Sequence, residues 1–164
     1  MGSTELLAWQ AAPGSRVGDY ILEAELPARP GERIFASTHR LLPRRAHIVL
    51  PEPERAFELA CVLEQISHPA VPRIYECGQL EDKNLWLAVS VIDGPTLAER
   101  LAHHALAVPE VVAMVRDLAA ILAHAHELGI VHGDLRTERV ASTANGWRIV
   151  DWSEAGHVKD QLPG

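Results

Sequence analysis

From Pro109 to Leu128 the chain carries apolar side chains at Val111, Val112, Met114, Val115, Leu118, Ile121, Leu122 and Ala125. The spacing is helical, and the apolar face is wider than a helix resting on a surface needs. Proline is tolerated in a first helical turn, where no N–H is required, and Gly129 is a natural stop. A long helix that must be covered over much of its girth therefore constrains the rest of the fold. At 164 residues, 48% hydrophobic and 23% charged, the chain has enough material for one domain with a core or for two small lobes, and disorder is not the default.

Short segments precede that helix. Residues 1–18 include Ala11-Ala12-Pro13-Gly14-Ser15 and read as a flexible leader. Residues 20–26, 33–42 and 45–50 read as three strands, with a turn at Pro27-Ala28-Arg29-Pro30-Gly31. A helix is predicted over residues 54–67, with Phe57, Cys61, Leu63 and Ile66, flanked by Ala60 and Val62, as its apolar face. Two more strands follow at 73–79 and 85–92 around the polar turn Glu81-Asp82-Lys83-Asn84. Asp93-Gly94-Pro95 breaks the chain, and Thr96-Leu97-Ala98-Glu99 opens a short helix with a capping box. After Gly129 come short segments at 130–131, 139–141 and 147–150, with a turn at Asn145-Gly146.

Two acidic motifs stand in the last third. Residues 132–139 read His-Gly-Asp-Leu-Arg-Thr-Glu-Arg, and Asp151-Trp152-Ser153 begins 17 positions after Asp134. The first resembles the protein kinase catalytic loop H-R-D-L-x-x-x-N, and the second stands where D-F-G would fall. Upstream, His68-Pro69-Ala70-Val71-Pro72-Arg73-Ile74-Tyr75 is similar to the family's H-P-N-I-V stretch, and Asp93-Gly94-Pro95-Thr96-Leu97 to its E-G-x-T-L. The parts occur in the family's order from about Tyr20 to Gly156. The resemblance implies an α+β fold. A kinase-like small lobe over residues 19–92, an antiparallel sheet with its αC helix, would precede a partial, mainly helical large lobe over 93–164.

The departures from the pattern carry the functional reading. On the alignment of residues 26–35 with L-G-x-G-x-x-G-x-V-Y, the three glycine positions hold Pro27, Arg29 and Glu32. Proline removes a donor, and Glu32 would put negative charge where phosphate is bound. The phosphate-pairing lysine position holds Ile48 or Val49, and its αC partner falls on Leu59, with Glu58 adjacent. Val89 takes the gatekeeper position, and Ser90, Val91 and Ile92 the hinge. Asp134 matches the catalytic base, Arg136 a frequent lysine position, and Asp151 the metal-binding aspartate. Arg139 replaces the asparagine that would hold a second magnesium, and its positive charge opposes a metal.

Plainer roles stand beside these. Asp134 can brace its loop by accepting backbone N–H bonds, Asp151 can be a turn residue, His132 a packed loop histidine and Trp152 a core anchor. The basic run Arg29, Arg33, Arg40, Arg44 and Arg45 reads as a solvated strand face or as a docking patch for an acidic partner.

These readings lead to a catalytically inactive kinase-like module, not an enzyme, that acts as a protein-interaction or regulatory scaffold. Asp134 and Asp151 would be vestigial, no metal or cofactor is expected, and ATP binding is not expected. The chain ends soon after Ser153, so the helix matching αE is expected to be covered by a partner protein or a second copy. Val111, Val115, Leu118 and Leu122 are the interface candidates. The alternatives are a nucleotide-binding sensor without catalysis and an atypical phosphotransferase using Asp134 and Asp151. The His-Gly-Asp and Asp-Trp pairs also resemble aminoglycoside-phosphotransferase-like enzymes. A net charge of −7 argues against nucleic acid as a partner. No segment is apolar enough to span a membrane. Cys61 and Cys77, without a metal-binding spacing, read as reduced thiols of a cytoplasmic protein.

Overall fold

The structure, a computed structural model, describes residues 8–158. The chain divides into two compact units, residues 8–60 with Ile74–Val91, and Cys61–Arg73 with residues 92–158.

The first unit is built on one antiparallel sheet. Strands β1 (Arg16–Val17), β2 (Tyr20–Leu26), β3 (Arg33–His39), β4 (Arg45–Leu50), β5 (Ile74–Gln79) and β6 (Leu85–Ser90) stand in the order β1-β2-β3-β4-β6-β5. Alternating side chains put Tyr20 and Leu22 of β2, and Ala46, Ile48 and Leu50 of β4, into a core with Phe35, Trp86 and Ala88. The Trp86 indole lies so close to the β5 backbone that a Cβ on Gly78 would come within 2.8 Å of its Nε1, so only glycine fits there.

The stretch expected to be a flexible leader is, from Ala8 onward, part of this unit; residues 1–7 lie outside the described residues. Val17 pairs with Tyr20 across the two-residue turn Gly18-Asp19, and Ala11 and Val17 are buried in the sheet core. The Ala8 N–H also donates to Asp82 Oδ2 at 2.8 Å. Pairing gives this segment hydrogen bonds and apolar burial that Pro13 and Gly14 alone would not foretell.

Helix α1 (Pro53–Ile66) contributes its first residues to the first unit and its last turns to the second. Its buried positions are Ala56, Leu59, Val62, Leu63 and Ile66, whereas Phe57 is 73% exposed. The apolar face is thus rotated from the expected one: Phe57, Cys61 and Ala60 lie off the buried stripe, and Leu59 lies on it.

In the second unit, helix α2 (Leu97–His103) starts at the expected capping box. Thr96 Oγ1 accepts from the Glu99 N–H at 3.1 Å, and Glu99 Oε2 accepts from the Thr96 N–H at 2.7 Å. Helix α3 (Val108–Glu127) follows, and Gly129 takes φ +73° just beyond it, the left-handed position at which helices stop. Then come β7 (Ile130–Val131), a 3-10 turn (Thr137–Arg139), the hairpin β8 (Val140–Thr143) and β9 (Gly146–Ile149), and β10 (Gly156–His157), which pairs with β7. The hairpin turns at Ala144-Asn145, one residue earlier than expected.

Leu97, Val140 and Trp147 form a core on which Met114 and Leu118 of α3 pack. Asp117 of α3 accepts the Trp147 N–H at 3.1 Å, tying helix to hairpin. The 61–73 segment groups with this unit and not with the small lobe as expected. His124 Nε2 bonds the Ile66 carbonyl at 2.8 Å, and His157 Nε2 meets Gln65 Oε1 at 3.0 Å. No helix among the described residues is long and apolar enough to cross a membrane.

Candidate active site

The two acidic motifs are brought together within the second unit by the pairing of β7 with β10. Val131 stands opposite Gly156, which sets residues 132–134 beside residues 151–155. Gly133 is required between them. Its φ is +82°, and a Cβ there would meet the Glu154 carbonyl oxygen at 2.7 Å.

His132 locks this contact. It is 4% exposed, and its Nε2 donates to the Asp151 carbonyl at 2.7 Å. That fixes the proton on Nε2 and leaves Nδ1 as an acceptor facing the Asp134 N–H at 3.4 Å. Its ring meets Trp152 edge-on at 4.8 Å, and Trp152 in turn donates Nε1–H to the Ile149 carbonyl at 3.3 Å. Burial holds the imidazole below its ordinary pKa, outweighing the Asp151 carbonyl and carboxylate that favour its charge. His132 is therefore a neutral packing and positioning residue.

The centre of the site is a guanidinium. Arg139 comes off the 3-10 turn, its side chain 4% exposed, and all three of its nitrogens are used. Nη2 meets Asp134 Oδ2 at 3.1 Å, Nε meets Asp151 Oδ2 at 3.1 Å, and Nη1 donates to the Asp134 carbonyl at 3.1 Å. The other oxygens are engaged as well. Arg136 Nε lies 3.3 Å from Asp134 Oδ1, while Asp151 Oδ1 accepts from the Ser153 N–H at 2.9 Å and from the Ser153 hydroxyl.

Asp134 thus braces its loop through two arginines and not through backbone N–H groups, as its plainer reading had it. Asp151 forms an Asx turn with Ser153 while joined to Arg139. The family pattern, which has glycine at position 153, gives no sign that Ser153 is a double donor. An Asp two residues before a Ser is the local signal that could have shown it.

A divalent metal between these carboxylates would need oxygens at about 2.0–2.6 Å. The oxygens that face each other are already held by a buried cation. The residues present do not fit a metal at that point.

The remaining candidates lie in the first unit, each at its own place. Pro27 is exposed on the loop between β2 and β3. Arg29 and buried Glu32 face each other at 3.7 Å across a turn in which the Glu32 N–H donates to the Arg29 carbonyl. Ile48 is fully buried in the sheet core and Val49 lies on the other side of β4; Val89 is buried and Val91 partly so. Glu58 pairs with Arg55 at 3.5 Å. Within the basic run, Arg33 is forked onto Glu25, Arg40 meets Asp19 at 2.8 Å, and Arg44 lies over the Tyr75 ring.

Of the interface candidates on α3, Val111 and Val115 are exposed and Leu122 is half-buried. Leu118 is half-buried too and packs against the core of Leu97, Val140 and Trp147.

Residues 50–159 match the family described as protein tyrosine and serine/threonine kinase. The chain belongs to the protein kinase family. Serine/threonine-protein kinase PknJ of Mycobacterium tuberculosis is 24% identical over 139 residues, 79% of this chain and 23% of that protein. Probable serine/threonine-protein kinase mkcB of Dictyostelium discoideum is 22% identical over 118 residues, 71% of this chain and 16% of that protein. Among solved structures, the M. tuberculosis PknI kinase domain superposes with a TM-score of 0.69 at 22% identity, over 87% of this chain and 61% of that one. The fold is therefore a partial protein kinase fold. The chain spans about a quarter or less of the curated relatives' length.

These comparisons correct the expectation of a chain that is not an enzyme. The finding that overturns it is that the relatives are named as serine/threonine-protein kinases, which points to a kinase enzyme; the superposed structure bears on the fold.

Proposed function

We propose that this kinase-family chain is part of a serine/threonine phosphotransferase, an atypical one that works with Asp134, Arg136 and Asp151. The observation that carries the reading is the place of Asp134. It stands in the catalytic-loop position of a kinase-family chain, and its side chain, 35% exposed, meets buried Arg139 through Oδ2 and the more exposed Arg136 through Oδ1.

In the proposed reaction a substrate hydroxyl oxygen attacks the terminal phosphorus of a nucleoside triphosphate supplied as its magnesium complex. The bond from that phosphorus to the bridging oxygen breaks, the diphosphate leaves, and the hydroxyl proton passes to the Asp134 carboxylate. Arg136, whose side chain is 55% exposed, would leave Asp134 Oδ1 in this step and turn toward the transferred phosphoryl group to stabilise its charge, which frees that oxygen for the proton. Arg139, held by Asp151 and in turn by Ser153, keeps Asp134 in position.

The test is label transfer from terminally labelled ATP to a mixed serine/threonine protein substrate. Transfer should occur and fall by about 100-fold or more in Asp134→Asn. Transfer no greater than in that variant ends the reading.

A second reading is favoured by helix α3: the domain also serves as a protein-interaction and regulatory scaffold module, through self-association or a partner. Val108, Val112 and Val115 are 75%, 61% and 57% exposed, and with Val111 they form one helical stripe. Sedimentation over a range of concentrations tests it, with Val112→Glu expected to abolish self-association while leaving the fold intact. A parent that is monomeric throughout, and whose binding of hydrophobic dye Val112→Glu does not reduce, rules it out.

A further inference from the structure

We infer that Arg139 is a built-in cation that takes the place of a divalent metal between Asp134 and Asp151, so that these two carboxylates bind no free Mg²⁺ or Mn²⁺. Three observations carry this. The first is connectivity: one guanidinium joins the facing oxygens of both carboxylates and also holds the Asp134 carbonyl. Arginine's planar fork can do this where a lysine ammonium would meet the acids as a point charge.

The second is saturation. The outer oxygen of Asp134 faces Arg136, and the outer oxygen of Asp151 accepts two bonds from Ser153. A metal would have to displace a donor at each carboxylate. The third is charge. Two carboxylates stand against two guanidiniums, so the cluster is neutral as built, and a divalent ion would meet no net negative charge there.

The sequence supplies this economically. In Asp134-Leu135-Arg136-Thr137-Glu138-Arg139 the 3-10 turn, closed by the Arg139 N–H on the Arg136 carbonyl, carries both guanidiniums back to the same aspartate.

The inference stands on side-chain geometry and does not depend on phosphotransfer, so either can fail alone. It is tested on the chain without nucleotide, using Mn²⁺ as the probe and following loss of the free-ion electron paramagnetic resonance signal. The parent is expected to show no saturable site in the millimolar range. Arg139→Asn removes the cation and adds an oxygen ligand, and should bind Mn²⁺ at least about tenfold more tightly than the parent.

Saturable Mn²⁺ binding by the parent that disappears in Asp151→Asn overturns the inference. So does an Arg139→Asn protein that is folded by circular dichroism and gains no binding. If that variant unfolds, Mn²⁺ should restore its folded circular dichroism by replacing the lost charge, and failure to do so is equally decisive against the inference.

Discussion

Arg33 in the first unit and Arg139 in the second are both forked onto carboxylates, and by distance the first is the better pair. Arg33 holds Glu25 through bonds of 2.7 and 2.9 Å, whereas each contact of Arg139 is 3.1 Å long. Yet Arg33 and Glu25 are 30% and 45% exposed on a strand face, and Arg139 is 4% exposed among groups that close a loop. Water can replace either partner of the first pair. It cannot reach the guanidinium of the second. Burial and the number of groups held together, more than bond length, decide which arginine the fold depends on.

The largest effect expected from this contrast is in Arg139→Ala. It leaves two carboxylates facing each other and should lower stability by about 3 kcal/mol, the low end for a broken buried pair because both acids reach solvent. Chemical denaturation measures it, and a loss as small as that of an exposed pair would erase the contrast.

Next comes the apolar version on α3. Leu118→Ala should cost about 2 kcal/mol, since Leu118 packs on Leu97, Val140 and Trp147, while Val112→Ala on the exposed stripe should leave the thermal midpoint almost unmoved. Equal effects would mean that the two faces of the helix are not differently covered.

A titratable version is His132. Its folded pKa lies below the ordinary 6.5 because burial disfavours the charged ring, so the unfolded chain binds more protons as the pH drops through that value. Stability should be complete above that pH and decline below it. His132→Asn should flatten part of the slope. His68, lowered by burial and then by His124 and Arg148, adds to it in the same direction. A pH profile unchanged in a variant carrying both His132→Asn and His68→Asn would remove histidine burial as its source.

The smallest effect is expected in Glu25→Gln. Arg33 keeps the Ala8 carbonyl at 3.0 Å and its place over the Phe35 ring, so thermal melting should match the parent's and show less dependence on salt. A large loss would show that bond length matters more than exposure.

Much of the fold was legible because it is local. The limits of β2 and β4 were read correctly from alternation and flanking prolines, and Thr96 with Glu99 announced α2. Two misreadings were of local signals. Val17-Gly18-Asp19-Tyr20 is a two-residue hairpin turn with glycine first, a local signal that the Pro13-Gly14 pair overshadows. On α1, Phe57, Cys61, Leu63 and Ile66 have roughly helical spacing, but Ala56, Leu59, Val62, Leu63 and Ile66 share the buried stripe.

The site divides similarly. Asp134, Asp151 and Arg139 were each found by motif. Their union depends on a strand pair of two residues each, and its register is not written near any of them. The positive charge at position 139 is legible in the sequence, but the bridge it makes is not, because a sequence does not say which carboxylates a long side chain will reach.

Trp86, packed against Gly78, has its counterparts in Trp147 and Trp152, and the three are 5%, 6% and 2% exposed. The first belongs to one compact unit and the other two to the second. Each unit thus carries its own optical probe. Replacing Trp9, Trp147 and Trp152 with Phe would leave Trp86 to report the sheet, and replacing Trp9 and Trp86 would leave the loop and hairpin to report themselves. The order in which the halves of this chain melt, or their melting as one, can then be read from fluorescence without adding a label.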